Sequence, residues 1–121
     1  MAYSAKVLDH FRQPRHAGEL AAASAVAEAS NLICGDVIKL WLKLEQGRVT
    51  AASFQAEGCV SAIACGSWLA ERITGCSLDD LRRISPEDVE AGLDGLPPAS
   101  KHAAQLVVEA LEQACESLQR K

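Results

Sequence analysis

Two cysteines and an aspartate of this chain stand where they could bind a metal or act as reactive groups. Cys34 and Asp36 are separated by one glycine, which lets the backbone bend so that both side chains face one centre. The triplet alone is a weak signal, because a buried cysteine followed by a turn aspartate gives the same pattern. Cys59 follows a glycine and directly precedes a predicted helix, whose N-terminal amide groups favour the thiolate over the thiol. Cys59 is therefore the better-placed candidate, and its alternative is a core thiol at the end of a strand.

A histidine in the first turn of the last predicted helix completes a candidate ligand set. His102 follows two prolines, and a lone histidine there is more often a surface or capping residue than a ligand. With Cys34, Asp36 and Cys59 it offers two sulfurs, one nitrogen and one carboxylate oxygen. Such a set suits Zn²⁺. It also suits a [2Fe-2S] cluster with non-cysteine ligands, because histidine replaces cysteine on one iron of Rieske centres.

A predicted β-hairpin brings the two cysteines to the same end of the fold. Apolar and polar residues alternate over 36–45, Gln46-Gly47 supplies the turn, and a return strand follows. A loop of three residues places the two apolar sets opposite one another on one face. This register carries Asp36 to the level of Gly58 and Cys34 to the level of Cys59–Val60. The apolar sets are Ile38, Leu40, Leu42 and Leu44 in the first strand and Thr50, Ala52, Phe54 and Ala56 in the second.

The remaining segments predict helices and one short edge strand. The first helix has Ser4 as N-cap and ends near Gln13, since a proline follows. Residues 24–30 form the edge strand and residues 60–73 a helix. Short helices start after Ser77 and Ser85, and a longer one runs from residue 100 to 118. We expect one domain over residues 1–121, an α+β fold in which helices pack on one face of a small three-stranded antiparallel sheet.

Composition and charge narrow the classes of function. The chain has 121 residues, 49% of them hydrophobic, and its net charge of −4 without a basic cluster argues against nucleic-acid binding. No apolar run reaches the length of a membrane span, and the first residues do not resemble a signal peptide. We therefore expect a cytoplasmic protein with no membrane contact. The chain has five cysteines and no sign of export, and disulfides are rare in proteins that stay in the cytosol. A disulfide framework therefore does not explain these cysteines.

The other cysteines and histidines are weaker candidates. Cys115 falls on the apolar stripe of the last helix, so we expect it to pack in the core. Cys76 lies in a turn and looks incidental. Cys65 is about 9 Å along the helix from Cys59, too far to assist it unless its side chain points back. The histidines at positions 10 and 16 are expected to face solvent.

The chain resembles the U-type iron–sulfur cluster scaffolds, the IscU and NifU N-terminal domain group. The resemblance rests on "YSAKVLDHFRQPRHAGEL", on "CGDVIKLWLKLEQGRVTAASFQAEGCVSAIACGS", and on "LPP" followed by a histidine at the start of the last helix. It implies an assembly platform, not itself an enzyme, that receives sulfur from a cysteine desulfurase and passes a [2Fe-2S] cluster to apo-proteins. It further implies that Cys34, Cys59 and His102 are ligands and that Asp36 is the ligand that keeps the cluster labile.

Two departures from this family bear on the mechanism. The family usually follows the histidine with a third cysteine that accepts persulfide sulfur, and this chain has Ala103, which can neither bind metal nor carry a persulfide. The family's chaperone segment typically reads L-P-P-V-K, whereas residues 96–100 read "LPPAS" and Lys101 comes one place late. Ala103 is compatible with a natural carrier variant, with a paralogue specialised for zinc or for a partner, and with an alteration that stabilises a bound cluster.

Three hypotheses of function follow from these residues. The first is a scaffold or carrier that binds a labile [2Fe-2S] cluster and transfers it by ligand exchange. The second is a zinc-binding sulfur-relay or regulatory partner of a cysteine desulfurase, in which a donor thiolate exchanges for one zinc ligand. The third is a domain that has lost metal binding and serves in protein contacts, although retention of the four other ligand types argues against it.

Overall fold

The fold is α+β, with five helices arranged around a three-stranded antiparallel sheet in the part of the chain that the computed structural model describes, residues 3–31 and 35–120. Cys34, the first cysteine of the candidate ligand set, lies outside these residues. The sheet has the order β1-β2-β3. The elements in chain order are α1 (Ala5–Arg12), β1 (Ala25–Asn31), β2 (Asp36–Glu45), β3 (Arg48–Glu57), α2 (Val60–Ile73), α3 (Leu78–Arg82), α4 (Pro86–Gly92), a 3₁₀ turn (Pro98–Ser100) and α5 (His102–Gln119).

The predicted hairpin forms, but its turn differs from the expected loop of three residues. Gln46 and Gly47 both have positive φ angles, +53° and +77°, as a tight two-residue hairpin turn requires. A register shift between Lys43 and Leu44 then compensates for the shorter loop. As a result Val49, and not Thr50, pairs with Leu44 and is buried. Beyond the bulge the predicted pairing is confirmed, for example between residues 40 and 54 and between residues 38 and 56.

The helices begin where the capping residues predict. Ser4 accepts a hydrogen bond from Val7 N at 3.0 Å. Ser77 and Ser85 each form a complete capping box, in which an aspartate three residues later accepts a hydrogen bond from the serine N–H. The last helix starts two residues later than predicted, because residues 98–100 form the 3₁₀ turn. These caps fix the starts of the short helices, whose own length is too small to stabilise them.

The long helices α2 and α5 pack on the sheet and bury its apolar residues. α5 contacts β1 and β2, α2 contacts β3 and β2, and α1 packs on α2. The predicted stripe of α5 is buried except for Leu118, which is half-buried. Cys115 is buried in this core as expected. Within residues 3–31 and 35–120, no helix combines the length and apolar character that crossing a bilayer needs.

Candidate metal centre

Three of the four predicted ligands meet at one end of the sheet. Asp36 is the first residue of β2, Cys59 is the N-cap of α2, and His102 is the first residue of α5. One ligand atom from each lies within 4.8 Å of the others. The N-termini of the two longest helices therefore border the site, and their partial positive charges favour anionic ligands there.

The Asp36 carboxylate is the centre of the hydrogen-bond network. Its Oδ1 accepts a hydrogen bond from the backbone N–H of Cys59 at 3.0 Å. Its Oδ2 lies 2.8 Å from Nε2 of His102 and 3.4 Å from Sγ of Cys59. The residue is only 1% exposed, so its charge depends on these partners for stabilisation. Burial raises the pKa of Asp36, but the hydrogen bonds from His102 and Cys59 outweigh burial and hold it below its usual value.

Cys59 occupies the predicted helix N-terminus, but its surroundings favour the thiol over the expected thiolate. The sulfur accepts a hydrogen bond from Ala62 N at 3.4 Å, as an N-cap should. Burial nevertheless raises the pKa of Cys59, and the adjacent Asp36 carboxylate raises it further. The two helix amides oppose this effect without reversing it. Cys59 is thus a thiol that donates its hydrogen bond to Asp36 Oδ2, and binding a metal through its sulfur would require loss of that proton.

The donor set fits a metal centre. Sulfur, imidazole nitrogen and carboxylate oxygen are all ligands that Zn²⁺ accepts. Thiolate and imidazole are also ligands of [2Fe-2S] clusters. Three donor atoms that already lie within 4.8 Å of each other need little movement to share one ion. Cys34 would supply a second sulfur, but it lies outside the described residues, so its membership of the site stays a prediction.

The residue after His102 contributes nothing to this chemistry. Ala103 is fully buried, and its methyl group belongs to the core cluster. Cys65 is also fully buried, and burial raises its pKa strongly, so it is an inert core thiol. Cys76 is half-buried in its turn, next to Arg72.

One histidine prediction is wrong. His10 was expected to face solvent together with His16, and His16 is exposed, but His10 is 7% exposed. Its Nδ1 lies 2.7 Å from Oγ of Ser67, which also accepts a hydrogen bond from the backbone N–H of Arg15. Burial lowers the pKa of His10. The histidine therefore joins α1 to α2, and the apolar spacing of α1 gave no sign of a polar contact on its buried side.

A comparison with protein families and curated proteins matches nearly the whole chain. Residues 2–121 match a family model described as "NifU-like N terminal domain". "Nitrogen fixation protein NifU" of Cereibacter sphaeroides is 47% identical over 109 residues, which are 90% of this chain and 44% of that protein. "Iron-sulfur cluster assembly scaffold protein IscU 1" of Archaeoglobus fulgidus is 34% identical over 119 residues, 98% of this chain and 78% of that protein. The chain thus spans less than half of the first relative.

Solved structures show the same fold at lower sequence identity. The N-terminal part of a nitrogen-fixing NifU-like protein from Brucella abortus superimposes with a TM-score of 0.79 and 21% identity, covering 97% of this chain and 94% of that one. The scaffold protein described for the SUF system of Fervidobacterium islandicum gives a TM-score of 0.77 and 20% identity, covering 93% and 96%. At such identities the likeness concerns the fold alone.

Proposed function

This chain belongs to the family of NifU-like N-terminal domains, and from that premise we propose that it is a scaffold or carrier for iron–sulfur clusters. The cargo is a [2Fe-2S] cluster, bound by Cys34, Asp36, Cys59 and His102 and transferred to apo-proteins. The role requires no bond-making catalysis on a substrate, so the protein is not an enzyme. The observation that carries the proposal is the convergence of Asp36, Cys59 and His102 from three elements onto one point.

The network around Asp36 supports a role as the labile ligand. Oδ1 accepts the backbone N–H of Cys59, whereas the partners of Oδ2 are the His102 nitrogen and the Cys59 sulfur, which are themselves proposed ligands. Oδ2 is therefore the oxygen that faces the proposed metal position, and the carboxylate can bind through this one oxygen. A single carboxylate oxygen bound to iron is displaced by an incoming thiolate more readily than a cysteine sulfur is, since iron–sulfur clusters prefer thiolate ligands. In this mechanism the two thiolates retain the cluster while Asp36 and His102 yield to the cysteines of the acceptor.

Site electrostatics also favour an anionic cargo. The N-termini of α2 and α5 border the ligands, and a thiolate-ligated [2Fe-2S] centre carries negative charge. The raised pKa of Cys59 means that the site releases a proton when the cargo binds. Binding is thereby coupled to pH.

Ala103 restricts how the cluster can be loaded. A persulfide cannot form on alanine, so sulfur from a cysteine desulfurase must reach Cys34 or Cys59 directly, or the cluster must arrive assembled. The partners we propose are a cysteine desulfurase and apo iron–sulfur proteins. Docking of a dedicated chaperone is less well supported, because Leu96 of the "LPPAS" segment is buried and Lys101 pairs with Glu90 at 3.6 Å.

Replacing Asp36 tests the ligand-exchange mechanism. We expect the Asp36→Ala protein to hold a reconstituted cluster longer and to transfer it more slowly to an apo-ferredoxin than the wild type does. Asp94→Ala is the matched control, since Asp94 is an exposed aspartate that pairs with Lys6 and is not one of the grouped ligands. If Asp36→Ala transfers the cluster at the same rate as the wild type and Asp94→Ala, Asp36 is not the labile ligand.

A second candidate function, zinc binding in a sulfur relay or in regulation of a desulfurase, is favoured by one observation. The three described ligand atoms are close enough to share a single ion even without Cys34. Anaerobically purified protein separates the two functions by elemental analysis. About two irons and two sulfides per chain, with visible colour, support the cluster carrier. One zinc per chain in a colourless protein, with no cluster formed when iron and sulfide are added, supports the zinc-binding function.

A further inference from the structure

We propose that Gly58 is a positioning residue for the metal centre, because its missing side chain leaves the space that the Asp36 carboxylate occupies. The inference rests on the proposed function and extends it to a residue that binds no metal. Val37 pairs with Glu57 at the end of the β2–β3 ladder, so Asp36 and Gly58 face each other one step beyond. A Cβ atom at position 58 would overlap Asp36 Oδ1 and lie 2.7 Å from its Cγ.

The backbone at Gly58 imposes a second, independent requirement. Its φ angle is +128°, a value that residues with L side chains rarely adopt. This conformation turns the chain from β3 into α2, so that the next N–H, that of Cys59, points at Asp36 Oδ1. Gly58 therefore makes room for the carboxylate and also directs the hydrogen bond that holds it.

A substitution at Gly58 would act on the ligands through Asp36. The carboxylate is 1% exposed, and among the described residues its Oδ2 already contacts His102 and the Cys59 sulfur, so a displaced carboxylate disturbs both. Displacing it breaks the hydrogen bond from Cys59 N and moves Oδ2 away from the point that the three ligand atoms share. Residues that orient metal ligands without binding the metal typically contribute about 10- to 100-fold to affinity. Gly58→Ala should weaken metal binding by about this factor.

The test measures cobalt affinity, because Co²⁺ replaces Zn²⁺ in such sites and its absorption reports thiolate ligation. Gly75→Ala is the matched control. Gly75 also has a positive φ, +93°, but a Cβ there would meet nothing within 4 Å, so this variant carries backbone strain without crowding a carboxylate. We expect wild type and Gly75→Ala to bind Co²⁺ alike and Gly58→Ala to lose about tenfold or more. An affinity of Gly58→Ala equal to that of Gly75→Ala would overturn the proposal.

Two further measurements test the positioning role of Gly58 without any metal. The amide proton of Cys59 should lose protection from exchange in Gly58→Ala and keep it in Gly75→Ala. The drop in the urea midpoint caused by Gly58→Ala should also be smaller in an Asp36→Ala background, because the clash partner is then gone. Unchanged Cys59 protection, or an equal drop in both backgrounds, would refute the positioning role. If the variants behave as expected but the wild type transfers no cluster, the proposed function is refuted and the positioning role of Gly58 is not.

Discussion

Gly66 of α2 faces two buried side chains of the sheet, those of Phe54 and Ile38, and an added methyl group there should push helix and sheet apart. A Cβ at residue 66 would lie 2.5 Å from Cδ2 of Phe54 and 2.8 Å from Cδ1 of Ile38. Normal carbon contacts are about 3.5–4.0 Å. The shortfall of about 1 Å cannot be absorbed easily, because both side chains are buried in a close-packed core.

The expected magnitude follows from two opposing effects. Overpacking a core typically costs about 1–3 kcal/mol, whereas exchanging glycine for alanine inside a helix gains up to about 1 kcal/mol. We expect Gly66→Ala to lower the free energy of unfolding by about 1–2 kcal/mol. Since α2 carries Cys59 at its N-terminus, a shift of the helix away from the sheet should also weaken Co²⁺ binding.

Urea unfolding at neutral pH measures the change in stability. The double variant Gly66→Ala/Phe54→Leu serves as the matched comparison, because the smaller side chain at 54 removes the closest contact. The double variant should lose less free energy of unfolding than the two single variants lose together, a difference that a double-mutant cycle measures. A Gly66→Ala protein more stable than the wild type would show that helix propensity, and not packing against β3, decides at this position.

Three further predictions concern other groups. The lowered pKa of His10 means that the folded state favours its neutral form, so this histidine stabilises the fold fully above pH 6.5 and less as the pH falls below that value. In urea unfolding, His10→Gln should therefore lower the free energy of unfolding more at pH 7 than at pH 5. The raised pKa of Cys59 predicts that zinc affinity increases by at least about tenfold per pH unit between pH 6 and 8, as measured by chelator competition, because this thiol must lose its proton; a flat profile would contradict this. Ser77→Ala should lower the free energy of unfolding by about 1 kcal/mol, because it removes the cap of α3, and Ser77→Asp should restore most of it.

Local patterns in the sequence predicted most of the fold. Strand alternation located β2 and β3, and capping serines located the starts of α1, α3 and α4, because these signals act between near neighbours in the chain. The bulge after Lys43 could not be predicted, since a two-residue turn with a bulge and a three-residue loop bring the same residues opposite one another. The choice depends on whether Val49 or Thr50 packs better in the core.

The proximity of three candidate ligands was predictable, but their electrostatics were not. The predicted hairpin register placed Asp36 at the level of Gly58 and so next to Cys59. His102 joined the set as a nitrogen donor at the start of the last helix, and the structure brings these three residues together. No local pattern indicates that Asp36 is buried beside the Cys59 sulfur. Burial of Cys59 and the adjacent carboxylate raise the pKa of this cysteine although it lies at a helix N-terminus. His10 was misplaced for the same reason, because its partner Ser67 is far away in sequence.

Histidine ligation of the cluster tests the account most directly. The protein, labelled with ¹⁵N in its three histidines, is reconstituted anaerobically, reduced, and studied by pulsed EPR. We predict a ¹⁵N coupling of the size of a directly bound imidazole, present in wild type and in His16→Ala and absent in His102→Ala. A reduced cluster without such coupling in the wild type, or with coupling that survives His102→Ala, would contradict a cargo site built on Asp36, Cys59 and His102.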